Sequence, residues 1–443
     1  MSIYDDAADK AKEQLDVISE TMCYAKWTQV SMHLTNGKTH SCYHPPTHDI
    51  DLEELKINPT ALHNTKEKKE QRAQMLAGER PEGCSYCWRI EDVGGRSDRV
   101  YRSGEYWAQN AREEIAEAGA DGNINPRYVE VNFNQACNFK CSYCSPILST
   151  EWMKEIKKEG PYNLHNRKHN DMQYMEKVDN SPDNMYLNAF WKWLPEIYPT
   201  LQTFRMTGGE PLMDKNTFKM FDYVKENPKE DLHMSITSNC CPPKGQWQKF
   251  INSMQTLTPN LDHFMLFASL DSWGKQAEYI RNGLDFDVFY KNVVQYLEQC
   301  DKHSLTFIIT FNTLSYNGIF NYMQQIHKLR TQYSKQRQMI WFDIPQLTNP
   351  DYMNPKLMPE RVIQLEQCVE YMEYNKDGDK NEFQGFSDFE INKVKRLINW
   401  IKADTGFDRE TAKKNFKLFF QQHDKRRNTN FVDVFPSLKD YYE

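Results

Sequence analysis

Three cysteines at CxxxCxxC spacing, Cys137, Cys141 and Cys144, stand in the stretch VNFNQACNFKCSYCSP directly after a predicted strand. Three thiolates on one short loop can hold three corners of a cubane [4Fe–4S] cluster and leave the fourth iron without a protein ligand. A cluster closed by four cysteines moves electrons; an open iron, like the open position on a catalytic zinc, admits a small molecule that can react there. A zinc knuckle or buried free thiols use the same spacing. Four further cysteines form a second group. Cys23 and Cys42 flank a hairpin pattern, and Cys84 and Cys87 make a CxxC beside Trp88 in GCSYCWRIE. Together they can close a single four-thiolate site. His40, His44 and His48 lie near Cys42 and read as surface or supporting side chains, because four cysteines already satisfy a tetrahedral site. The vicinal pair Cys240-Cys241, and Cys300 and Cys368, read as buried inert thiols.

A second element, Thr207-Gly208-Gly209-Glu210-Pro211, follows another predicted strand. Two glycines there let the backbone approach a ligand without a Cβ in the way, and Glu210 supplies an acceptor for a cationic amine. With the cysteine trio ahead of it, this chain resembles the radical S-adenosylmethionine (SAM) superfamily, and aromatic Tyr143 precedes the last cysteine as in that signature. The resemblance implies that Cys137, Cys141 and Cys144 hold a SAM-binding [4Fe–4S] cluster and that Gly208, Gly209 and Glu210 hold the amino group of SAM. Ser269-Leu270-Asp271 and Arg281 resemble the SLD…R element of the superfamily. Ser269 is then a candidate for the ribose or carboxylate of SAM, and Arg281 for its carboxylate through charge-assisted hydrogen bonds. Thr237, Asn239 and Asn312, at strand ends, are further candidates, with capping or turn stabilisation the competing account.

The N-terminal cysteines are similar to the auxiliary-cluster modules called SPASM and twitch domains, which more often lie C-terminal to the barrel. Cys23, Cys42, Cys84 and Cys87 would then ligate a second [4Fe–4S] cluster; a Zn(Cys)4 site uses the same ligands. The implied chemistry is reductive cleavage of SAM to methionine and a 5′-deoxyadenosyl radical that abstracts hydrogen from an unreactive carbon, with the auxiliary cluster carrying electrons. That combination favours net oxidation or cross-linking of a peptide, protein or small metabolite, with an external electron donor of flavodoxin or ferredoxin type. Only Met1–Met22 precedes Cys23, so a peptide-modifying enzyme is expected to need a separate recognition protein or to read its target directly. The alternative is a non-catalytic iron–sulfur electron carrier or metal-stabilised interaction protein. An electron carrier has no use for the GGEP and SLD elements.

These groups need elements to position them. Strand Tyr128–Asn134 sets Val129, Val131 and Phe133 on one face and Glu130, Asn132 and Asn134 on the other. Strands Leu201–Met206, Leu232–Ser238, Phe264–Leu270, Leu305–Thr310 and Met339–Ile344 alternate with helices, one of which begins near Lys275 and carries Arg281. That alternation predicts a parallel α/β architecture. The resemblance makes it a partial (β/α)6 TIM barrel over 127–358, with cluster and SAM at its C-terminal mouth. Within it lie a helix Ser149–Lys158, a polar loop Glu159–Asp183 that reads as solvated, and a helix Asn184–Leu194 stopping at Pro195. Ahead of it, residues 1–100 form a small cysteine-rich α+β module: a surface helix Ile3–Glu20, a hairpin turning at Asn36-Gly37, and a helical stretch Asp51–Gly78. Residues 101–126 link the two through a helix Tyr106–Ala120. A helical extension, 359–443, comprises Glu360–Tyr374, an acidic loop Asn375–Asn381, Asp388–Asp404 and the basic Thr411–Arg427, which reads as a solvated face. Its aromatic ending, FVDVFPSLKDYY, is expected to pack back onto the body.

Composition sets the limits. A chain of 443 residues is long for one domain, and 39% hydrophobic with 13% aromatic residues suffices for a substantial core. A mean hydropathy of −0.81 predicts extensive loops and solvated helices. The net charge of −7 argues against general nucleic-acid binding, which rests on clustered positive charge. No apolar run approaches a membrane span, and Met1–Gln14 is polar and acidic, unlike a secretory signal. Eleven cysteines without such a signal fit a reducing, cytoplasmic setting, where clustered cysteines bind metal more often than they form disulfides.

Overall fold

The computed structural model describes residues 3–335, 338–377 and 383–443. Among the described residues eleven strands occur in chain order: β1 (Gln29–His33), β2 (Lys38–His40), β3 (His48–Asp49), β4 (Tyr128–Asn132), β5 (Lys140–Cys141), β6 (Thr203–Thr207), β7 (Lys229–Ser238), β8 (Leu261–Ser269), β9 (Arg281–Asn282), β10 (Ser304–Ile308) and β11 (Ile340–Asp343). Two compact units divide the chain: residues 1–134, 177–207 and 229–235 in the first, and 135–176, 208–228 and 236–443 in the second.

In the first unit β4 is the central strand, parallel to β1 on one side and to β6 on the other. Val129 and Val131 are fully buried, as their alternation predicts. The hairpin β1–β2 turns through Asn36-Gly37, with Gly37 at φ 65°. It forms no sheet of its own. β1 joins β4 in register from Gln29↔Tyr128 to His33↔Asn132. Its polar residues Gln29 and Ser31 are buried together with Val30 and Met32, so the polar–apolar alternation does not mark a solvated face. The expected helix 51–78 is three pieces, Leu52–Ile57, Pro59–Leu62 and Lys66–Leu76, because Asp51, Asn58 and Thr65 each cap a new start. The predicted linker helix likewise divides into Tyr106–Gln109 and Arg112–Ala118. Helix Met185–Ile197 runs two residues past Pro195, which lies in its last turn and forfeits a single backbone bond there.

In the second unit β8, β10 and β11 are parallel neighbours. Helices Phe286–Gln299 and Ile319–Tyr333 connect them, each with a buried apolar stripe; Phe289, Val293, Tyr296 and Leu297 form that of the first. A two-residue antiparallel ribbon pairs β5 with β9. Arg281 therefore belongs to a short strand: helix Lys275–Ile280 ends before it, and the residue is its C-cap. The C-terminal helices are Ile363–Tyr374, Asp388–Lys402 and Arg409–Arg427, the second started by a Ser387/Glu390 capping box. Of the expected acidic loop, residues 378–381 lie outside the described residues. Phe431, Phe435 and Leu438 of the aromatic ending are buried. The architecture is mixed α/β with mostly parallel strands. Among the described residues no helix is long and apolar enough to cross a membrane.

Candidate functional site

The loop carrying Cys137, Cys141 and Cys144 is held by the start of the helix that follows it, Thr150–Glu159. The Ser149 hydroxyl caps that helix and donates to the Phe139 carbonyl at 2.6 Å. The Thr150 hydroxyl donates to the carbonyl of Cys137 and accepts from its N–H. The Trp152 indole N–H donates to the Cys141 carbonyl at 2.8 Å. All three thiols are free of disulfides. Burial pushes each of them up, that of Cys144 to about 12, so they are protonated until a metal takes the place of the proton. Soft sulfur donors on a short, immobilised loop fit an iron–sulfur cluster.

The GGEP turn docks on this loop. Glu210 N–H donates to the Ala136 carbonyl at 2.7 Å, one residue before Cys137. A Cβ on Gly209 would stand 2.7 Å from the Gln135 carbonyl, so protein backbone fills the space the sequence reading reserved for ligand. Gly208 adopts φ 125°, where a side chain is strained. Glu210 is buried, and its carboxylate accepts from the Ser238 hydroxyl (2.8 Å), Asn239 N–H (2.6 Å) and Leu212 N–H (3.1 Å). Burial outweighs those hydrogen bonds and lifts it to about 7. The Asn239 side chain donates to Asn138, which in turn donates to the Cys241 carbonyl. Two motifs some seventy residues apart thus share one hydrogen-bonded seam.

Arg281 is buried beside them. Its Nη2 donates to Asp271 Oδ1 at 2.9 Å, its Nε lies 2.9 Å from Oδ2, and its Nη1 points at Cys141 Sγ, 3.9 Å away. The guanidinium lies over the Tyr143 ring at 5.7 Å, and the Tyr143 hydroxyl bonds the Asp271 carboxyl. Asn312 is fully buried; its amide donates to Thr310 and accepts from Leu314, which makes it a turn-former. Ser269 and Thr237 are partly exposed near the ends of β8 and β7. Cys240 and Cys241 are buried, as expected, with Cys240 at the left-handed φ of 54°.

In the first unit a cavity with about 400 Å³ of empty space, open solvent included, is lined by all four N-terminal cysteines together with Lys26 and Arg99. Cys23, Cys84 and Cys87 belong to the same apolar cluster as Trp27, Trp88 and Trp107. Burial raises Cys23, and takes Cys42 and Cys87 to about 12. Lys26 is 2% exposed and, among the described residues, donates to Gln71 without an ion-pair carboxylate. A buried ammonium costs several kcal/mol unless an opposite charge faces it. A thiolate-bound metal centre in this cavity would carry such a charge. His40 binds the Cys42 carbonyl, His44 pairs with Asp98 at 2.6 Å and His48 with Thr65. Among the described residues no three His, Cys, Asp or Glu side chains stand close enough to hold a single metal ion.

No family model matches the chain. Two curated relatives do, both GTP 3′,8-cyclases, which are radical SAM enzymes. That of Campylobacter lari is 26% identical over 194 residues, 43% of this chain and 48% of the relative. That of Trichodesmium erythraeum is 28% identical over 114 residues, 25% of this chain and 27% of the relative. Over the matched stretches the chain is similar to these radical SAM enzymes. It spans about half the length of the first of these relatives, and less of the second. Among solved structures it is similar to SuiB of Streptococcus suis bound to S-adenosylmethionine (14% identity, 79% of this chain, 69% of that chain, TM-score 0.38). It is also similar to native anSMEcpe with bound AdoMet (14% identity, 59% and 63%, TM-score 0.36). Those scores are too low to establish a common fold.

The chain also uses residues that no motif announces. Arg427, read as part of a solvated basic face, donates to the Lys140 carbonyl at 2.6 Å and pairs with buried Glu155 at 3.0 Å. Lys140 pairs with the same carboxylate at 2.8 Å, and the Tyr162 hydroxyl donates to it. Arg426 covers the Tyr162 ring at 3.9 Å, while Lys413, Lys414, Lys417 and Lys425 remain exposed. His169, from the polar loop expected to be solvated, bonds the Tyr143 carbonyl at 2.9 Å. The ion-pair spacings exceed any local pattern, so sequence periodicity carries no trace of them.

Proposed function

We propose that this protein reductively cleaves SAM at a [4Fe–4S] cluster on Cys137, Cys141 and Cys144, and so oxidises or cross-links a peptide, protein or small metabolite. The observation that carries the reading is the seam between Glu210 N–H and the Ala136 carbonyl, which brings the GGEP turn against the cysteine loop. When bound, the cluster and SAM supply an electron and a 5′-deoxyadenosyl radical that takes hydrogen from the substrate. The chain's own residues do the rest. Ser149, Thr150 and Trp152 fix the loop, and Glu210 ties the GGEP turn to Ser238 and Asn239. The partly exposed Ser269 and Thr237 hydroxyls remain candidates for the polar groups of SAM.

Cys23, Cys42, Cys84 and Cys87 are proposed to hold an auxiliary [4Fe–4S] cluster that exchanges electrons with the substrate radical, supported by the shared cavity and by buried Lys26. A flavodoxin- or ferredoxin-type donor in the cytoplasm would supply the electron. Residues 127–358 are proposed as a partial (β/α)6 barrel, with the cysteine module at 1–100, a linker at 101–126 and an extension at 359–443.

Anaerobic reconstitution tests this reading. Dithionite-dependent 5′-deoxyadenosine and about eight iron and eight sulfide per chain are expected. About four iron with one zinc would make the N-terminal site structural. Absence of 5′-deoxyadenosine from fully loaded protein would refute SAM cleavage.

A further inference from the structure

The SLD…R resemblance assigns Arg281 to the carboxylate of SAM, and the geometry points elsewhere. β5 and β9 pair antiparallel with Cys141 directly opposite Arg281, and Ser142 N–H donates to the Ile280 carbonyl at 2.7 Å. Residues directly opposite on an antiparallel ribbon present their side chains to the same face at close range. The register itself, therefore, delivers the guanidinium to the sulfur, with Nη1 3.9 Å from Sγ. The ribbon leaves little room to shift. A Cβ on Gly283, the residue after β9, would stand 2.9 Å from the Asn138 carbonyl oxygen and from the Phe139 ring. The charge of Arg281 is already matched by Asp271, itself fixed by Thr310 N–H at 3.0 Å and by the Tyr143 hydroxyl. Only 5% of the residue is exposed. A guanidinium in that setting has little left for a ligand carboxylate.

We infer that Arg281 is a positioning residue of the metal centre: through Cys141 Sγ it sets the reduction potential of the SAM-binding cluster, and Asp271 moderates that effect. The inference rests on the reading of Cys141 as a cluster ligand. Its physical basis is simple. Reduction adds negative charge to the cluster and its sulfurs, so an N–H donor and a positive charge at one sulfur favour the reduced form. The nearby carboxylate offsets part of that gain in a low-dielectric site.

The test is a redox titration of full-length, anaerobically loaded protein, following the electron paramagnetic resonance signal that responds to SAM. Arg281→Gln is expected to lower the ratio of reduced to oxidised cluster about tenfold at fixed potential, a shift of about 59 mV for one electron. Asp271→Asn keeps the guanidinium, removes its countercharge and should shift the ratio the opposite way. In both variants the dissociation constant for SAM should stay within about threefold of wild type, since a tenfold change corresponds to about 1.4 kcal/mol. A potential that moves in neither variant overturns the inference. So does a tenfold weaker affinity for SAM in Arg281→Gln at unchanged potential, which would return the residue to the SAM carboxylate. Should Arg281→Gln hold no cluster, Asp271→Asn decides alone, and the lack of an upward shift refutes the proposal. Loaded wild type that shows no response to SAM would instead overturn the reading of the site, and this inference with it.

Discussion

Gly209 shows how a motif can be recognised for one reason and required for another. The sequence suggests a glycine that makes room for ligand; the fold fills that room with the backbone of Gln135 and Ala136. Gly209→Ala should therefore push the turn off the cysteine loop, costing about 2 kcal/mol in denaturant unfolding, as overpacked sites do, and reducing iron retention. Glu210 carries a second prediction. Its folded value of about 7 stands above the ordinary 4.5, so its proton stabilises the metal-free fold below the ordinary value, and that stabilisation is lost as pH climbs through 7. The melting temperature of metal-free protein should fall between about pH 5 and pH 8, and Glu210→Gln should flatten that part of the curve. The cysteine trio, the two glycines and Glu210 stand out in the sequence because their motifs are local in spacing. The Glu210 partners Ser238 and Asn239 are 28 and 29 residues away, where no periodic signal reaches.

At the scale of elements, strands with apolar faces are legible to within a few residues, since burial enforces a period of two. The ribbon β5–β9 is not, because two residues have no periodicity to read. Its importance comes from register alone. The helical stretch 51–78 is over-read for a related reason: three short pieces share a helical composition, and only the caps at Asp51, Asn58 and Thr65 separate them. Helix Arg409–Arg427 yields a prediction of its own. Burial opposes the charge on Glu155, yet Arg427 and Lys140 overcome it and hold the carboxyl at about 2. Arg427→Met should cost about 3 kcal/mol near neutral pH, the range seen when one partner of a buried pair is removed. The difference from wild type should shrink as pH falls below the ordinary 4.5 toward 2, where the carboxylate takes up its proton. Urea titrations of both proteins across that range check it.

For the whole molecule, the two groups of cysteines lie in different compact units. Cys42→Ala should therefore lower iron from about eight to about four per chain while the SAM-responsive signal persists. Iron analysis beside paramagnetic resonance reads both quantities, and loss of the SAM-responsive signal in that variant would show that the centres are not independent. Composition and strand–helix alternation made the mixed α/β class legible. The interleaving of the units, with segments 177–207 and 229–235 returning to the first, was not, because it depends on contacts between distant segments.

The clamp on Lys140 also has a bearing on biosynthesis. The guanidinium that closes over its carbonyl belongs to a residue 287 positions later in the chain. The loop is thus translated long before its clamp exists, and it reaches its clamped form only once the helix bearing that guanidinium has been made. The loop's finished form thus depends on one late-arriving arginine as well as on its own sequence.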